Sequence, residues 1–391
     1  VPVLPLLRRG RRAAPPAEAT PAPAADPPTP PVRVLPRAVV VLLGLALAFG
    51  VLLGLNQLKD YVGPIFLALN LVLAAAPLQS WLVRRGVPRG LAAAISGAAV
   101  FTFLLGFFYA LGWSIAAMVE ELSGSTYRTR YNELYGQLQD LLTRFGVEQE
   151  QVLDQLRNAF NPEAIIGALG GVLGNVTGIL GLLMTTVIVI FFLLIDSTSA
   201  GQRIGLVREQ HPRLAEALVT FGDGVRRYWV VTTIFGLIVA VLDVVALVIL
   251  GVPLALAWGV LAFLTNYIPN IGFVIGLVPP ALMALLANGP TNALLVVVVY
   301  SLLNFVVQSL IQPKFTGDAV GVTPTVTFIS LIVWAWVLGP LGALLALPAT
   351  LLLKAVLVDA DPQARWANAF LASKPETARA DSTREAVHQG T

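Results

Sequence analysis

Thr265-Asn266-Tyr267-Ile268-Pro269-Asn270-Ile271-Gly272, with Val278-Pro279-Pro280 just after it, interrupts an apolar run from Leu254 to Leu286. Proline removes a backbone donor and its ring clashes with the preceding turn, so a helix through this stretch must kink or break. In hydrocarbon the freed carbonyls and amides need partners, and irregular backbone persists only where protein buries it or water reaches it. Broken helices of this kind are a common way to build a solute or ion site inside a membrane. The stretch therefore predicts an all-α, polytopic membrane helix bundle whose working part lies near residues 265–280. A second broken or re-entrant segment is expected near 313–324, where Pro313, Gly317 and Pro324 fall.

Composition supports a membrane setting. Of 391 residues, 57% are hydrophobic and 12% charged, whereas a soluble domain is about a quarter charged. The lipid bilayer is thus the first expected partner. The chain has no cysteine, so disulfides and thiolate metal sites do not arise. His211 and His388 both lie outside the apolar runs, which argues against zinc or haem ligation by imidazole. No cofactor, metal site or nucleic-acid partner is expected.

Residues 1–37 hold 11 of the 27 prolines, together with Arg8, Arg9, Arg11, Arg12 and Arg33. Such a segment cannot bury enough apolar area to offset the entropy of ordering, so it reads as a disordered basic tail. A spanning helix needs about 20 apolar residues. Residues 38–118 supply three, at Ala38–Leu55, Tyr61–Val83 (interrupted by Pro64 and Pro77) and Leu91–Met118. Residues 119–165 are more polar, with Leu134, Leu138, Leu141, Leu142 and Phe145 on one helical face. They read as an amphipathic helical insert outside the hydrocarbon.

Asn161-Pro162-Glu163 is a helix start by its cap, its proline and its acid. It opens the membrane part 166–358, whose first span ends at Asp196. Gly167, Gly170, Gly171, Gly174, Gly178 and Gly181 form a stripe there that is expected to receive a neighbouring helix. Residues 197–227 read as a polar linker carrying a surface helix, with Leu214, Leu218, Phe221 and Val225 on its apolar face. Further spans follow at Tyr228–Leu250, across the broken segment Leu254–Leu286, at Asn292–Ile311, and over Pro324–Val358, which Gly339-Pro340 splits. Residues 359–391 read as a disordered tail.

Orientation follows from the arginines. The N-terminal tail, the Arg84–Arg89 turn and the Arg203–Arg227 linker are basic, while the Val119–Ile165 insert carries eight Asp or Glu against four Arg. Basic loops stay cytoplasmic, which places the N-terminus inside and the insert outside. With one crossing for each interrupted segment the total is about eight spans and the C-terminus is also inside. Re-entrant hairpins are the alternative, because a half-helix of about 15 residues is short for a span.

Leu250-Gly251-Val252-Pro253, then Asn266 through Gly272, then Pro279-Pro280 resemble the signature region of the autoinducer-2 exporter family of membrane transporters. Downstream, Gln312-Pro313 through Gly317, Val320-Gly321, Pro324, Gly339-Pro340-Leu341-Gly342 and Leu347-Pro348 are similar to the family's C-terminal pattern. The resemblance covers Ala38 to Val358. It implies a multi-pass protein of the bacterial inner membrane and a homo-oligomer, pentameric by family. It also implies export of a small hydrophilic solute such as autoinducer-2, with sodium or lithium for proton exchange in some members. Trp334, Trp336, Asp318 and Asp243 depart from the family pattern.

Asp243 stands inside Val241-Leu242-Asp243-Val244-Val245 with no Lys or Arg in the same span. A mid-helix carboxylate costs about 2.5–3.5 kcal/mol on insertion scales, so it should face protein or water. It is read as a proton or cation carrier, against the plainer role of a hydrogen-bonded aspartate at a helix contact. Asn304, Gln308 and Gln312 recur every four residues on an otherwise apolar helix. Such amides either join helices or line a path for a hydrophilic solute. Asn266 and Asn270 flank Pro269 and serve either a solute or the freed backbone, with Gly272 completing the break. Lys314 and Asp318 are read as a gate pair, and Lys354 as a cation reaching for the interface.

The leading reading is a secondary transporter of a small hydrophilic solute, working by alternating access. A cation–proton antiporter and an oligomeric channel are the alternatives. No Gly-x-x-x-x-Gly-Lys-Ser/Thr, His-Glu-x-x-His or Gly-x-Ser-x-Gly pattern occurs, so neither an ATP-driven pump nor an enzyme is expected.

Overall fold

A computed structural model describes residues 36–124, 129–133, 135–137, 139, 166–167, 170–171, 174–269, 271–312 and 322–373. The chain divides into two units, Val1–Phe49 and Gly50–Thr391. The described part of the first unit is the N-terminal portion of α1 (Arg37–Gln57), apolar on every side. In the second unit α2 (Lys59–Arg84), α3 (Arg89–Leu122) and α4 (Val176–Ser197) are long apolar helices. α5 (Ala200–Gln210) leads into α6 (Pro212–Ile249), one helix of 38 residues. α7 (Ala255–Thr265), α8 (Ile271–Asn288) and α9 (Pro290–Asn304) follow, and α9 widens into a π-helical segment, Phe305–Ile311. α10 (Pro324–Leu338) and α11 (Pro340–Lys354) complete the bundle. Among the described residues eight helices are long and apolar enough to cross a membrane, and α7 and α10 are shorter. The expected all-α membrane bundle is what the molecule has.

The two short helices belong to hairpins. With 11 residues, α7 is about 16 Å long against a hydrocarbon core of about 30 Å. It stops inside, and α8 brings the chain back: Asn288 Nδ2 donates to the Gly251 carbonyl at 3.4 Å, and Asn292 Nδ2 to that of Leu250 at 2.7 Å. The α7–α8 hairpin thus enters and leaves at the C-terminal end of α6. The α10–α11 hairpin has its base at the other end. Thr323 N donates to the Leu371 carbonyl at 3.0 Å, and Val322 and Ala355 share a core with Phe221 and Val225 of the N-terminal half of α6. The two hairpins meet where Ile268 packs against the buried cluster that holds Leu331, Trp334, Val337 and Leu338. Each hairpin closes on a glycine. A Cβ at Gly272 would overlap the Thr265 carbonyl, and one at Gly342 the Trp334 carbonyl.

Several expectations are corrected. Pro64 and Pro77 do not interrupt α2, and Pro279 and Pro280 lie inside α8. Neighbouring helices can absorb the lost donor in a membrane span, so among the described residues the break between α7 and α8 is confined to 266–269. The 197–227 linker is largely helical, and α6 runs unbroken into its span. The face carrying Phe221 and Val225 is buried in the main core with Leu67 and Leu71, so protein and not lipid covers it. Cβ atoms built at Gly167, Gly170, Gly171, Gly174 and Gly181 would meet nothing within 4 Å, and Gly178 meets Asn175 of its own helix. Within one chain the stripe therefore receives no described helix. The start of the expected disordered tail is instead tied to α11: Lys354 Nζ pairs with both Asp359 oxygens at 2.8 Å and Asn368 Nδ2 donates to Asp359 at 3.0 Å. Lys354 is thus paired and does not reach for the interface.

Trp334 and Trp336 take different roles. Trp336 is exposed. Trp334 is buried, and its Nε1 donates to Thr350 Oγ1 at 3.1 Å. Thr350 shares a hydrogen bond with Ser330, whose hydroxyl donates to the Ala346 carbonyl at 2.9 Å. Thr350→Val strands the indole donor, so it should cost about 1–3 kcal/mol, read from thermal unfolding in detergent. Thr350→Ser keeps the hydroxyl and should lose much less.

Candidate functional site

The break at the tip of the α7–α8 hairpin is held by α6 and α2. Tyr267 is buried; its carbonyl accepts from Tyr228 Oη at 3.0 Å and its hydroxyl shares a 2.8 Å bond with Thr233. Its ring packs on Trp229 and Phe263 with centroids 5.4 and 5.6 Å away. Trp229 Nε1 in turn donates to Asn70 Oδ1 of α2 at 3.3 Å. Ile268 N donates to the Thr265 carbonyl at 2.9 Å and Gly272 N to the Ile268 carbonyl at 3.0 Å. The freed backbone is in this way largely satisfied by protein, as a membrane interior requires.

Beside this tip lies a polar chamber of about 50 Å³. The structure brings six of the expected residues to its wall: Asp243, Asn266, Pro269, Gly272, Asn304 and Gln308. Gln308 Nε2 donates to Asn266 Oδ1 at 2.9 Å and to Asn304 Oδ1 at 2.7 Å, and Asn266 Nδ2 donates to the Thr232 carbonyl at 3.0 Å. One amide chain thus ties α6, the hairpin tip and the end of α9 together. Asp243 is 1% exposed, and its Oδ1 accepts no hydrogen bond from the described residues. The Tyr300 hydroxyl on the same wall is likewise without a partner among them. Gln312 is not part of the chamber; it follows the π-helical segment, a turn beyond Gln308. Asn270, Lys314 and Asp318 lie outside the described residues.

Thr265 and Tyr300 on the wall and Gly236 behind Asn266 also belong to the site, beyond the residues expected from the sequence. Gly236 leaves room for the Asn266 amide, which a Cβ there would strike. A signal for it existed, since Thr232, Gly236 and Asp243 sit at i, i+4 and i+11 on α6 and share one face. The chamber offers carboxylate, hydroxyl and amide oxygens. Hard oxygen donors suit a proton or an alkali cation, and amides that both donate and accept suit a hydroxylated solute.

A helix bundle with an intramembrane hairpin break and a buried carboxylate beside it fits a membrane transport protein. Residues 38–360 match the family model described as AI-2E family transporter, and the chain belongs to that family. It is 30% identical over 322 residues to "AI-2 transport protein TqsA" of Escherichia coli K12, spanning 82% of this chain and 91% of that protein. It is 31% identical over 327 residues to "Putative transport protein YhhT" of the same organism, spanning 79% and 88%.

Proposed function

We propose that this transporter exports a small hydrophilic solute by alternating access around the α7–α8 hairpin, with Asp243 carrying a coupled proton or cation. The observation that supports the reading is the convergence of Asp243, Asn266, Asn304 and Gln308 on one chamber at the break. At about 50 Å³ the chamber has room for a few waters or one cation. A solute needs the hairpin to withdraw from α6 and α9, which is the motion alternating access requires. TqsA is named for AI-2, so an AI-2-like solute is the first to test. The same small volume and the unpartnered Asp243 oxygen favour a cation–proton exchanger as the second reading.

The protein sits in the bacterial inner membrane in this reading, with both termini cytoplasmic and the 119–165 insert outside, as the arginine distribution supports. A homo-oligomer, pentameric by family resemblance, would supply a neighbour for Gly167, Gly170, Gly171 and Gly174 ahead of α4, where a Cβ meets nothing within 4 Å among the described residues. Lys314 and Asp318 remain the proposed gate pair.

Solute and sodium flux in proteoliposomes, with and without a proton gradient, tests the proposal. Gradient-driven solute flux supports export, and sodium flux alone selects the exchanger. Voltage-scaled single-channel currents without coupling overturn both. Gln308→Leu removes both amide bonds at the tip and should lower flux about tenfold, equivalent to about 1.4 kcal/mol on the barrier, in the same assay.

A further inference from the structure

The hairpin tip also walls a second cavity, of about 820 Å³. Thr265 and Ile268 line both spaces, but the larger one is walled mainly by carbon, from Leu71, Phe107, Leu111, Leu182, Trp229 and Tyr267 among others. This size falls within the usual range of ligand pockets. Water has few partners in such a space, and apolar cavities stay dry or take apolar guests. The charged residues on its lining are Lys59 and Asp60, adjacent, exposed and of opposite sign.

A groove of about 470 Å³ lies between α3, α6 and α7 on the outer face. Leu237, Val241 and Leu256 line it and are 56%, 54% and 61% exposed. In a spanning bundle such side chains face lipid. Phe103, Phe107 and Leu264 line the groove and the cavity alike. These three side chains are therefore the apolar partition between the lipid-facing groove and the cavity that reaches Trp229 and Tyr267 at the hairpin tip.

We propose that the cavity admits an acyl chain of a zwitterionic bilayer phospholipid, which enters past Phe103 and Phe107 and rests against the hairpin tip. The groove supplies hydrocarbon contact along its whole length, and the Lys59–Asp60 pair matches a headgroup carrying phosphate and ammonium together. The site is separate from the polar chamber and does not depend on the transport reading.

Two buried tryptophans give an internal control. Trp229 is 5% exposed and lines the cavity, while Trp258 is 2% exposed and lines neither apolar space. Variants retaining one or the other, with the remaining tryptophans changed to Phe, are reconstituted in vesicles of phosphatidylethanolamine with brominated acyl chains. Trp229 emission should fall more than Trp258 emission. Gly181→Phe, at a cavity-lining position where a Cβ meets nothing within 4 Å, should restore it. Equal quenching, or quenching indifferent to Gly181→Phe, overturns the proposal, and so does a groove sealed by a second copy, which keeps lipid from Trp229. Brominated phosphatidylglycerol should quench less than brominated phosphatidylethanolamine; equal quenching removes the headgroup assignment. On the unaltered chain, a phosphatidylethanolamine with a diazirine in its acyl chain should label Trp229 or Tyr267. Labelling confined to outer residues such as Val241 and Leu256 overturns acyl entry even if the tryptophan variants fail to fold.

Discussion

Asp243→Asn should yield a folded protein whose flux no longer responds to the proton or sodium gradient. Asparagine keeps the shape and removes the titratable charge. A purely structural aspartate at a helix contact would spend its oxygens on neighbours, yet Asp243 Oδ1 is buried and accepts nothing from the described residues. Burying an unpartnered group costs about 1–3 kcal/mol, and a carboxylate in the membrane interior more. The replacement should therefore leave thermal stability unchanged or raise it, while coupling is lost. Flux in proteoliposomes at several pH values and sodium concentrations reads the outcome. If pH and sodium dependence survive in Asp243→Asn, the residue carries neither proton nor cation.

Gly272→Val should be the most destructive small substitution in the hairpin. Its Cβ would overlap a backbone carbonyl, that of Thr265, and a carbonyl in a helix end cannot swing aside as a side chain can. Overpacking costs typically about 1–3 kcal/mol and occasionally more; here about 3 kcal/mol or above is expected, because α7 and α8 must part. Gly342→Val should behave alike in the second hairpin, where the Trp334 carbonyl occupies the same kind of position. Gly106→Val is the comparison, since a Cβ there meets nothing within 4 Å and an unopposed surface change stays within about 0.5 kcal/mol. Thermal unfolding in detergent separates them. Equal melting of Gly272→Val and Gly106→Val would show that the two helices do not pack as described.

Much of the bundle was legible in the sequence because its causes are local. The apolar runs of α2, α3 and α4 announce spans by length and composition alone. Pro64, Pro77, Pro279 and Pro280 look like breaks in the sequence, which reveals the lost donor but not the neighbouring helices that compensate for it. Leu214, Leu218, Phe221 and Val225 suit a lipid surface in sequence, because an apolar face looks the same whether lipid or protein covers it. The glycines of α4 show small size without showing a partner.

The candidate site divides the same way. That Asp243, Asn266, Asn304 and Gln308 are polar residues in apolar helices follows from their covalent identity, and the cost of burying them makes them candidates for function in any fold. The place of the break at Pro269 is likewise local, since proline carries its restriction within its own ring. Gln312 could not be separated from Asn304 and Gln308, because a four-residue spacing holds only while the helix stays α, and from Phe305 it does not. What the sequence by itself determined is a membrane helix bundle, interrupted at Pro269 and carrying costly polar groups. What only the tertiary structure decided is that the interruption is the tip of a hairpin that turns back, meets a second hairpin from the opposite end of α6, and places the Asp243 carboxylate beside the amide chain. Gly272 on Thr265 closes the first hairpin, and the packing of Ile268 on the cluster that holds Leu331, Trp334 and Leu338 joins segments far apart in the chain.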